Sequence, residues 1–385
     1  MKSKIKNSLK YMPTFVFIAF IFCIFILYII LPKNSYSAEE KRNLSQMPQA
    51  TVEKVFNGEF ETDFETFLAD QLPFRTFFVG TNAYCSLYTG HNSSNGIYKG
   101  SNGYLFSKPV EYNELLDKNI SYISEFAEKT NIPTYMCIVP TSAYIMQDKL
   151  PKNHYQYKDN ELFNTIKADL KNSDSDVKFI DLIPTFSEKS TSEQLFYKTD
   201  HHWTSDGAYT AYSVIAQAMG FNATDKSQFE ISTYNDFYGT AYSKSALWFN
   251  QPDIIELWKN KTHTSDTVSV TIKDGQNEQT YNTMFFEENL KTDDKYTAFL
   301  NGNHSYVKIT NNSNPNGKKL LIVRDSYAHS LAPFLADNYS EITLIDLRYY
   351  KSPVSSIVSE QHIDETLFLY GLDNITNDTN ITFLR

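Results

Sequence analysis

Apolar residues in the middle of the chain alternate between helical spacing and short continuous runs. Residues 111–130 show helical spacing, and residues 134–139 follow as an unbroken apolar run. A second helical pattern at about 160–171 precedes Val-Lys-Phe-Ile-Asp-Leu at 177–182, which we interpret as a second buried strand. Continuous apolar runs of this length are typical of strands buried on both faces of a sheet. The order of strand, helix and strand therefore predicts an α/β fold with a parallel sheet.

The same pattern resumes toward the C-terminus. Residues 319–323 form an apolar run, a turn is expected at 324–326, and a helix is predicted from about 328 to 336. Residues 342–347 predict another buried strand, and residues 365–370 predict the last one. These segments extend the α/β pattern.

A helix and then a long polar region separate these two α/β stretches. Thr204 or Ser205 can cap the helix and Gly220 can end it, and its inner face is formed by Ala208, Tyr212, Ile215, Ala216 and Met219. Residues 221–318 are rich in Thr, Asn, Asp and Ser, with one alternating segment at 267–272 before an Asp-Gly turn. We interpret 221–318 as an insertion rich in β structure and loops.

The segment before the α/β pattern is predicted to be helical and then to form a hairpin. Apolar residues recur at helical spacing over 52–78, and Pro73 separates one helix from the next. Residues 96–106 contain three glycines and several aromatic residues, which predicts short paired strands.

The N-terminus carries an apolar run of the length that a membrane span requires. Residues 15–31 contain no charge, and the preceding basic residues are Lys2, Lys4, Lys6 and Lys10. This flank predicts a single-pass protein of the cell membrane, with a cytoplasmic N-terminus and an exported body. A cleavable signal peptide is the alternative, because small residues occur at 35–38.

We expect three parts along the chain. Residues 1–33 form the cytoplasmic tail and transmembrane anchor, the polar residues 34–50 form a linker, and residues 51–385 form the extracytoplasmic domain. The formal charge of −10 argues against a nucleic-acid partner, which usually meets a basic surface. The three cysteines lack zinc-binding spacing, and a disulfide between Cys85 and Cys137 stays open.

Two separated segments carry residues suited to nucleophilic catalysis. Ser326 follows a predicted strand and precedes a helix, so its hydroxyl projects at the carboxyl edge of the sheet. A serine hydroxyl needs a base to take its proton, and His202 is our candidate. Asp200 lies two positions earlier and shares a side with His202 in an extended loop. We therefore predict an Asp200–His202–Ser326 triad.

Other interpretations of these residues remain. Ser326 or Asp325 could cap the following helix, and His201 could be the base instead of His202. The two histidines could also be metal ligands, but no HExxH spacing or acidic cluster supports a metal, so we expect none. His329 is interpreted as a rim residue of the site.

The segment Asp-His-His-Trp-Thr at 200–204, with Gly-Ala-Tyr at 207–209, resembles the DHHW protein family. That family is similar to the alginate O-acetyltransferases of the bacterial cell envelope, which are SGNH-hydrolase-like. The resemblance implies a three-layer SGNH-hydrolase-like domain with a permuted motif order. It also implies Asp200 as the orienting acid, His202 as the base and Ser326 as the nucleophile. Position 201 departs from the alginate enzymes, which carry other residues there.

Several residues near the predicted triad could donate hydrogen bonds to an oxyanion or contact a substrate. The backbone N–H of Ser326 is the first donor to expect. SGNH-like enzymes add a glycine and an asparagine, which Gly302 and Asn303 could supply unless they form a plain turn. Further candidates for oxyanion or substrate binding are Tyr327, Arg348, His201 and Trp203, although Trp203 is better explained as a packing residue than as a sugar platform.

These observations lead to one expected function and two alternatives. We expect a membrane-anchored O-acetyltransferase that modifies hydroxyls of a cell-envelope or exopolysaccharide glycan through a serine ester, with no cofactor. The resemblance implies a membrane-bound O-acyltransferase as the acyl donor and a polysaccharide as the acceptor. The alternatives are a carbohydrate acetylesterase with the same triad and a non-catalytic glycan-binding envelope protein.

Overall fold

The computed structural model describes residues 2–384, with side chains described from residue 10 onward. Of the basic flank, the side chains of Lys2, Lys4 and Lys6 therefore lie outside the described residues, as does Met1 of the predicted tail. The helices are α1 Lys2–Ile30, α2 Val52–Phe56, α3 Glu59–Asp70, α4 Arg75–Tyr88, α5 Glu114–Thr130, α6 Ser142–Ile145, α7 Asp159–Asn172, α8 Ile183–Lys189, α9 Ser205–Met219, α10 Thr240–Ser245, α11 Ala328–Leu335, α12 Ser355–Glu360 and α13 Leu372–Asn377. The strands are β1 Tyr36–Ser37, β2 Arg42–Asn43, β3 Ile97–Lys99, β4 Leu105–Ser107, β5 Thr134–Val139, β6 Val177–Asp181, β7 Phe229–Phe237, β8 Asp253–Asn260, β9 Val268–Asp274, β10 Asn277–Tyr281, β11 Tyr306–Asn311, β12 Lys319–Arg324, β13 Glu341–Ile345 and β14 Glu365–Gly371.

The chain divides into two compact units. The first is Met1–His91 with Ala246–Trp248, and the second is Asn92–Ser245 with Phe249–Arg385. In the first unit, α1 contains an apolar stretch of 21 residues, Lys10–Ile30, that is long and apolar enough to cross a membrane. Its use as an anchor or as a signal segment stays a prediction.

The predicted linker, residues 34–50, is held against the rest of the first unit by polar side chains. The buried carboxylate of Asp70 accepts hydrogen bonds from Arg42 Nη1 and from the backbone N–H of Ser45, both at 2.9 Å. Gln71 accepts from the backbone N–H of Asn34 at 3.0 Å. Helices α3 and α4 begin and end around Pro73 as the pattern predicted.

An eight-stranded sheet forms the centre of the second unit, in the order β10-β9-β11-β13-β12-β14-β5-β6. The strands β13, β12, β14, β5 and β6 run parallel, which confirms the predicted parallel sheet. One expectation is wrong in detail. Because β6 is the edge strand, most of its residues are only partly buried or exposed rather than buried on both faces.

The region 221–318 contributes more to the sheet than the polar pattern indicated. Its strands β9, β10 and β11 extend the main sheet in antiparallel orientation, with β11 paired to β13. Strands β7 and β8 form a separate antiparallel pair. The predicted β-rich character is present, and the domain boundaries themselves stay a prediction.

Helices cover both faces of this sheet and make a three-layer α/β domain. Along β12, Leu320 and Ile322 face one core, and Leu321 and Val323 face the other, as expected when successive strand residues point to opposite faces. Helices α9 and α11 contribute to the first core, and α5 and α7 contribute to the second. Each fully buried Leu or Ile stabilises the fold by about 1.5–3 kcal/mol. The two cores therefore hold β12 rigidly, and its carboxyl end leads into the turn that carries Ser326.

Candidate active site

The turn after β12 is held in place by Asp325. Its Oδ1 accepts from the backbone N–H of Tyr327 at 2.9 Å, and its Oδ2 accepts from Gly371 N and Asn374 Nδ2 at 2.7 Å. Burial raises the pKa of Asp325 to about 6, although these three donors act in the opposite direction. The turn is thereby tied to the end of β14. The hydroxyl of Ser326 does not cap α11 and is directed toward His202.

The side chains of Asp200, His202 and Ser326 form one chain of hydrogen bonds, here called the proton relay. Ser326 Oγ lies 2.7 Å from His202 Nε2, and His202 Nδ1 lies 2.5 Å from Asp200 Oδ1. An ionised carboxylate can only accept, so Nδ1 carries the proton and Nε2 is the acceptor for the serine hydroxyl. The Asp-x-His spacing also lets Asp200 Oδ1 accept the backbone N–H of His202 at 2.9 Å. The structure thus brings the three predicted residues together.

A neighbouring segment that sequence reasoning missed holds the second oxygen of Asp200. Thr240 donates to Asp200 Oδ2 from its backbone N–H at 2.6 Å and from its hydroxyl at 3.0 Å. Gly239 lies so close that a Cβ there would be 2.1 Å from the Cβ of Asp200. Burial alone raises the pKa of Asp200. The two neighbouring imidazoles and the hydrogen bonds from His202 and Thr240 outweigh burial and hold this pKa well below its usual range.

The environment of His202 keeps the imidazole neutral. Burial and the adjacent His201 lower its pKa to about 4, while Asp200 acts in the opposite direction. The ring of Tyr296 stacks on that of His202 at a centroid distance of 4.0 Å. The Tyr296 hydroxyl donates to the backbone oxygen of Ser326 at 3.3 Å. A neutral, oriented imidazole next to a hydroxyl can act as a general base.

The loop before the Asp-x-His segment is fixed by a buried acid that the sequence pattern did not reveal. Asp253 accepts from Lys198 N at 2.9 Å, and from Thr199 N and Thr199 Oγ1 at 2.7 Å each. Thr204 then caps α9 by accepting from Gly207 N at 3.1 Å, as predicted. Gly207 is required there, because a Cβ would lie 2.1 Å from the backbone oxygen of Leu195.

Four of the other predicted site residues line the same cavity as the triad, which has a volume of about 410 Å³: His201, Gly302, Asn303 and Arg348. Arg348 Nη2 donates to Asp346 Oδ2 at 2.7 Å and to Asn303 Oδ1 at 3.1 Å. The N–H of Gly302 donates to the backbone oxygen of Phe299 at 3.2 Å, which makes it a poor oxyanion donor. His201 Nδ1 lies 2.8 Å from Thr240 Oγ1.

Three expectations need correction. The candidate role of Trp203 as a substrate contact is wrong and its favoured interpretation as a packing residue is confirmed, because its indole is fully buried and donates to Ser330 Oγ at 2.8 Å. Tyr327 is also buried, and its hydroxyl donates to the backbone oxygen of His201 at 2.7 Å, so it positions the loop. His329 lines the triad cavity from its buried wall rather than its rim, because it packs against the guanidinium of Arg324.

The same loop contains one group of potential metal ligands. Ligand atoms of Asp200, His201 and His202 lie within 4.8 Å of one another. Both ring nitrogens of His202 are already engaged, one by Asp200 and one by Ser326. A cation bound by this group would have to displace the relay, so these residues fit proton transfer better than metal binding.

The two cysteines that could have formed a disulfide are both free thiols. Cys85 is exposed, and Cys137 is buried in β5. The pair therefore contributes nothing covalent to the fold.

A mostly parallel sheet with helices on both faces, and a serine at the end of one strand beside an Asp-x-His segment, define an SGNH hydrolase-like α/β domain. Residues 97–246 match the family described as the SGNH hydrolase-like domain of the acetyltransferase AlgX. The predicted resemblance is therefore confirmed. The matched residues include Asp200 and His202 and end before Ser326.

Solved structures show the same fold. A DHHW family protein from Eubacterium siraeum is 22% identical over 76% of this chain and 95% of its own, with a TM-score of 0.64. PatB1 from Bacillus cereus, in a structure with a sulfonyl adduct, is 22% identical over 75% of this chain and 98% of its own, with a TM-score of 0.62. No curated protein matched the sequence.

Proposed function

We propose that this protein is an extracytoplasmic O-acetyltransferase that moves an acyl group onto hydroxyls of a cell-envelope or exopolysaccharide glycan through an ester on Ser326. The observation that carries the proposal is the 2.7 Å contact between His202 Nε2 and Ser326 Oγ, with Asp200 on the opposite ring nitrogen. The match to an acetyltransferase domain supports acyl transfer as the chemistry.

In the first step Ser326 is acylated. His202 Nε2 takes the hydroxyl proton while Oγ attacks the carbonyl carbon of the acyl donor. Asp200 stabilises the imidazolium that forms. The tetrahedral intermediate then collapses, the bond to the leaving alcohol breaks, and His202 returns the proton to that alcohol. The product is an ester between the acyl group and Ser326.

In the second step the acyl group passes to the glycan. A sugar hydroxyl in the cavity gives its proton to His202 Nε2 and attacks the ester carbonyl. The bond to Ser326 breaks, and Oγ recovers a proton from His202. Water in place of the sugar would make the same site a carbohydrate acetylesterase.

The negative charge that develops on the carbonyl oxygen needs donors in the cavity. The backbone N–H of Ser326 is the first of these. Asn303 lines the cavity, and its Oδ1 accepts from Arg348, which turns its NH₂ group away from that guanidinium. We assign Asn303 as the side-chain donor and Arg348 as the residue that orients it.

The N-terminal apolar stretch supports a location outside the cytoplasm. Lys10–Ile30 would either hold the enzyme at the cell membrane or direct its export. Acyl-coenzyme A is absent outside the cytoplasm, so the donor would be supplied by a membrane-bound O-acyltransferase. An uncleaved span would keep the two proteins close together.

The proposal is tested with the full chain in detergent micelles. An activated aryl acetate is supplied with and without a neutral oligosaccharide, and acetyl groups on Ser326 and on sugar are measured by mass spectrometry. We expect acetylated sugar, and loss of both products in Ser326→Ala. Ser359→Ala is the matched control, because Ser359 is an exposed helix serine.

Each other outcome has a distinct meaning. Free acetate without acetylated sugar, over a panel of acceptors, would favour the esterase. Turnover that persists in Ser326→Ala would contradict the serine ester.

A further inference from the structure

A larger groove lies beside the start of α5 and along α7 in the second unit. Its volume is about 910 Å³, and its lining includes Tyr112, Tyr155, Asp117, Glu161 and Asp169. None of these residues takes part in the proton relay. A groove of this size is large enough for several sugar units of a chain.

The groove and the triad cavity are lined by successive residues of one short backbone segment. Val110 lines both the groove and a small intermediate cavity. That small cavity shares Ser107, His201 and Asp373 with the triad cavity. The segment from 107 to 112 therefore runs from the candidate active site to the groove, as an extended substrate would.

Two tyrosines in the groove expose more than half of their surface. Tyr112 is 52% exposed and Tyr155 is 61% exposed. The Tyr112 hydroxyl donates to Asp117 Oδ2 at 2.5 Å, which holds this side chain to α5. Exposed aromatic faces of this kind stack on the apolar faces of sugar rings, while hydroxyl groups at their edges bind water or ligand.

The charge of the groove restricts which sugars can bind. Its carboxyl groups are Glu111, Asp117, Glu161 and Asp169, and its one cation is Lys158, which pairs with Glu161 at 3.2 Å. Burial and the nearby charge of Asp117 raise the pKa of Asp169. Carboxylates accept hydrogen bonds from sugar hydroxyls and repel uronate groups.

We infer that this groove is a binding site for the acceptor chain, and that it takes a glycan without carboxylate groups whose end reaches Ser326 along residues 107–112. The inference rests on the proposed function and adds the class of acceptor to it. It predicts that affinity increases with the length of the oligosaccharide, because short acceptors fill only the triad cavity.

The test uses the full chain carrying Ser326→Ala, in a detergent without a sugar headgroup. Calorimetry compares β-1,4-linked N-acetylglucosamine oligomers of increasing length with uronate oligomers of the same lengths. We expect binding of the neutral series that strengthens with length, and at least tenfold weaker binding of the uronate series.

Variants of the groove locate the binding. Tyr112→Ala with Tyr155→Ala should lower the affinity for the longest neutral oligomer about tenfold and leave the shortest unaffected. Tyr88→Ala is the matched control, since Tyr88 is 86% exposed and does not line the groove. Thermal unfolding of both variants checks that they are folded.

The outcomes separate this inference from the proposed function. Three results would contradict the assignment of the groove as the acceptor site. They are neutral oligomers that do not bind or bind independently of length, uronates that bind equally well, and an unchanged affinity in the double tyrosine variant. If neutral oligomers bind the groove as expected but wild-type protein does not turn over aryl acetate, the inference about the groove is supported and the enzymatic proposal fails. If aryl acetate turnover is normal and long acceptors gain no advantage, the groove alone fails.

Discussion

His202 Nε2 and Ser326 Oγ lie 2.7 Å apart although their residues are separated by 124 positions in the chain. Each side of this contact is held independently. Asp325 ties the serine turn to the end of β14, and Asp200 with Thr240 orients the imidazole. The two segments thus place a hydroxyl against a neutral imidazole in the protein alone, which is the arrangement that the proposed proton transfer requires.

Replacement of Asp200 by Asn should abolish most of the activity without unfolding the protein. An amide at this position can offer its NH₂ group to Nδ1, which favours the tautomer with the proton on Nε2. We expect turnover of an aryl acetate to fall on the order of 10⁴-fold. Thr240→Val is a milder comparison, because it removes the hydroxyl that contacts Asp200 and His201 but keeps the backbone donor to Asp200. Equal losses in both variants would contradict this account.

The activity should persist at an acidic pH where an ordinary histidine would already be protonated. Because burial lowers the pKa of His202 to about 4, the neutral base is retained well below the usual value of about 6.5. The acid limb of Ser326 acylation, measured by stopped-flow kinetics with a pH-stable acyl donor, should therefore lie below pH 6.5. An acid limb at or above pH 6.5 would show that the site does not disfavour the imidazolium.

The same pKa predicts how stability changes with pH. Between about pH 6.5 and pH 4 the unfolded chain binds a proton at His202 that the folded chain does not. Above pH 6.5 this group is neutral in both states and leaves the free energy of unfolding unchanged. As the pH falls from 6.5 toward 4, protonation of the unfolded chain lowers the free energy of unfolding. Thermal unfolding should show a smaller acid-induced decrease in Tm for His202→Gln than for the wild type. Identical pH profiles would contradict this prediction.

Asp325→Asn should destabilise the serine turn. The two carboxylate oxygens of Asp325 accept hydrogen bonds from Tyr327 N, Gly371 N and Asn374 Nδ2. An asparagine has only one acceptor oxygen, so at least one of these donors would lose its partner. Leaving buried donors without an acceptor costs about 1–3 kcal/mol. We expect a lower Tm together with slower acylation of Ser326, while Asp293→Asn, at an exposed position, should change neither. An unchanged Tm and rate would show that the turn does not depend on Asp325.

Gly239→Ala should reduce activity through Asp200. The added Cβ would lie 2.1 Å from the Cβ of Asp200, so Asp200 or the backbone of Gly239 must shift, which disturbs the contact between Asp200 and His202. A shift of about 1 Å in the group that orients the base lowers turnover on the order of 100-fold. Gly317→Ala is the control, because its Cβ would meet only the flexible side chain of Asn314. Full activity in Gly239→Ala would contradict the requirement for close contact at this position.

Much of the second unit could be predicted from local pattern. Strands β5, β12, β13 and β14 are recognisable because a strand buried between two layers leaves an unbroken apolar run. Strands β7, β8 and β11 escaped notice. They lie in a region rich in Thr and Asn, where only one side of each strand contributes strongly to a core.

The candidate site divides in a similar way. The relation of Asp200 to His202 is local, and a serine after an apolar run points to the end of a strand. Nothing near Gly239, Thr240, Asp253 or Tyr296 in the sequence indicates a role, since each acts on the triad loop or serine turn from a distant segment. Trp203, directly after the Asp-x-His segment, lies in the core, as its interpretation as a packing residue predicted.

The sequence by itself determined the layers of the domain, the span-like N-terminal segment and the choice of Asp200, His202 and Ser326 as candidates, because hydrophobic period and residue chemistry are properties of short segments. Only the tertiary structure decided which groups orient those residues, which side chains reach the cavity, and that a second groove shares a neighbouring wall segment with it. Such relations depend on distances between segments far apart in the chain. Those distances arise when the sheet is assembled and both of its faces are buried.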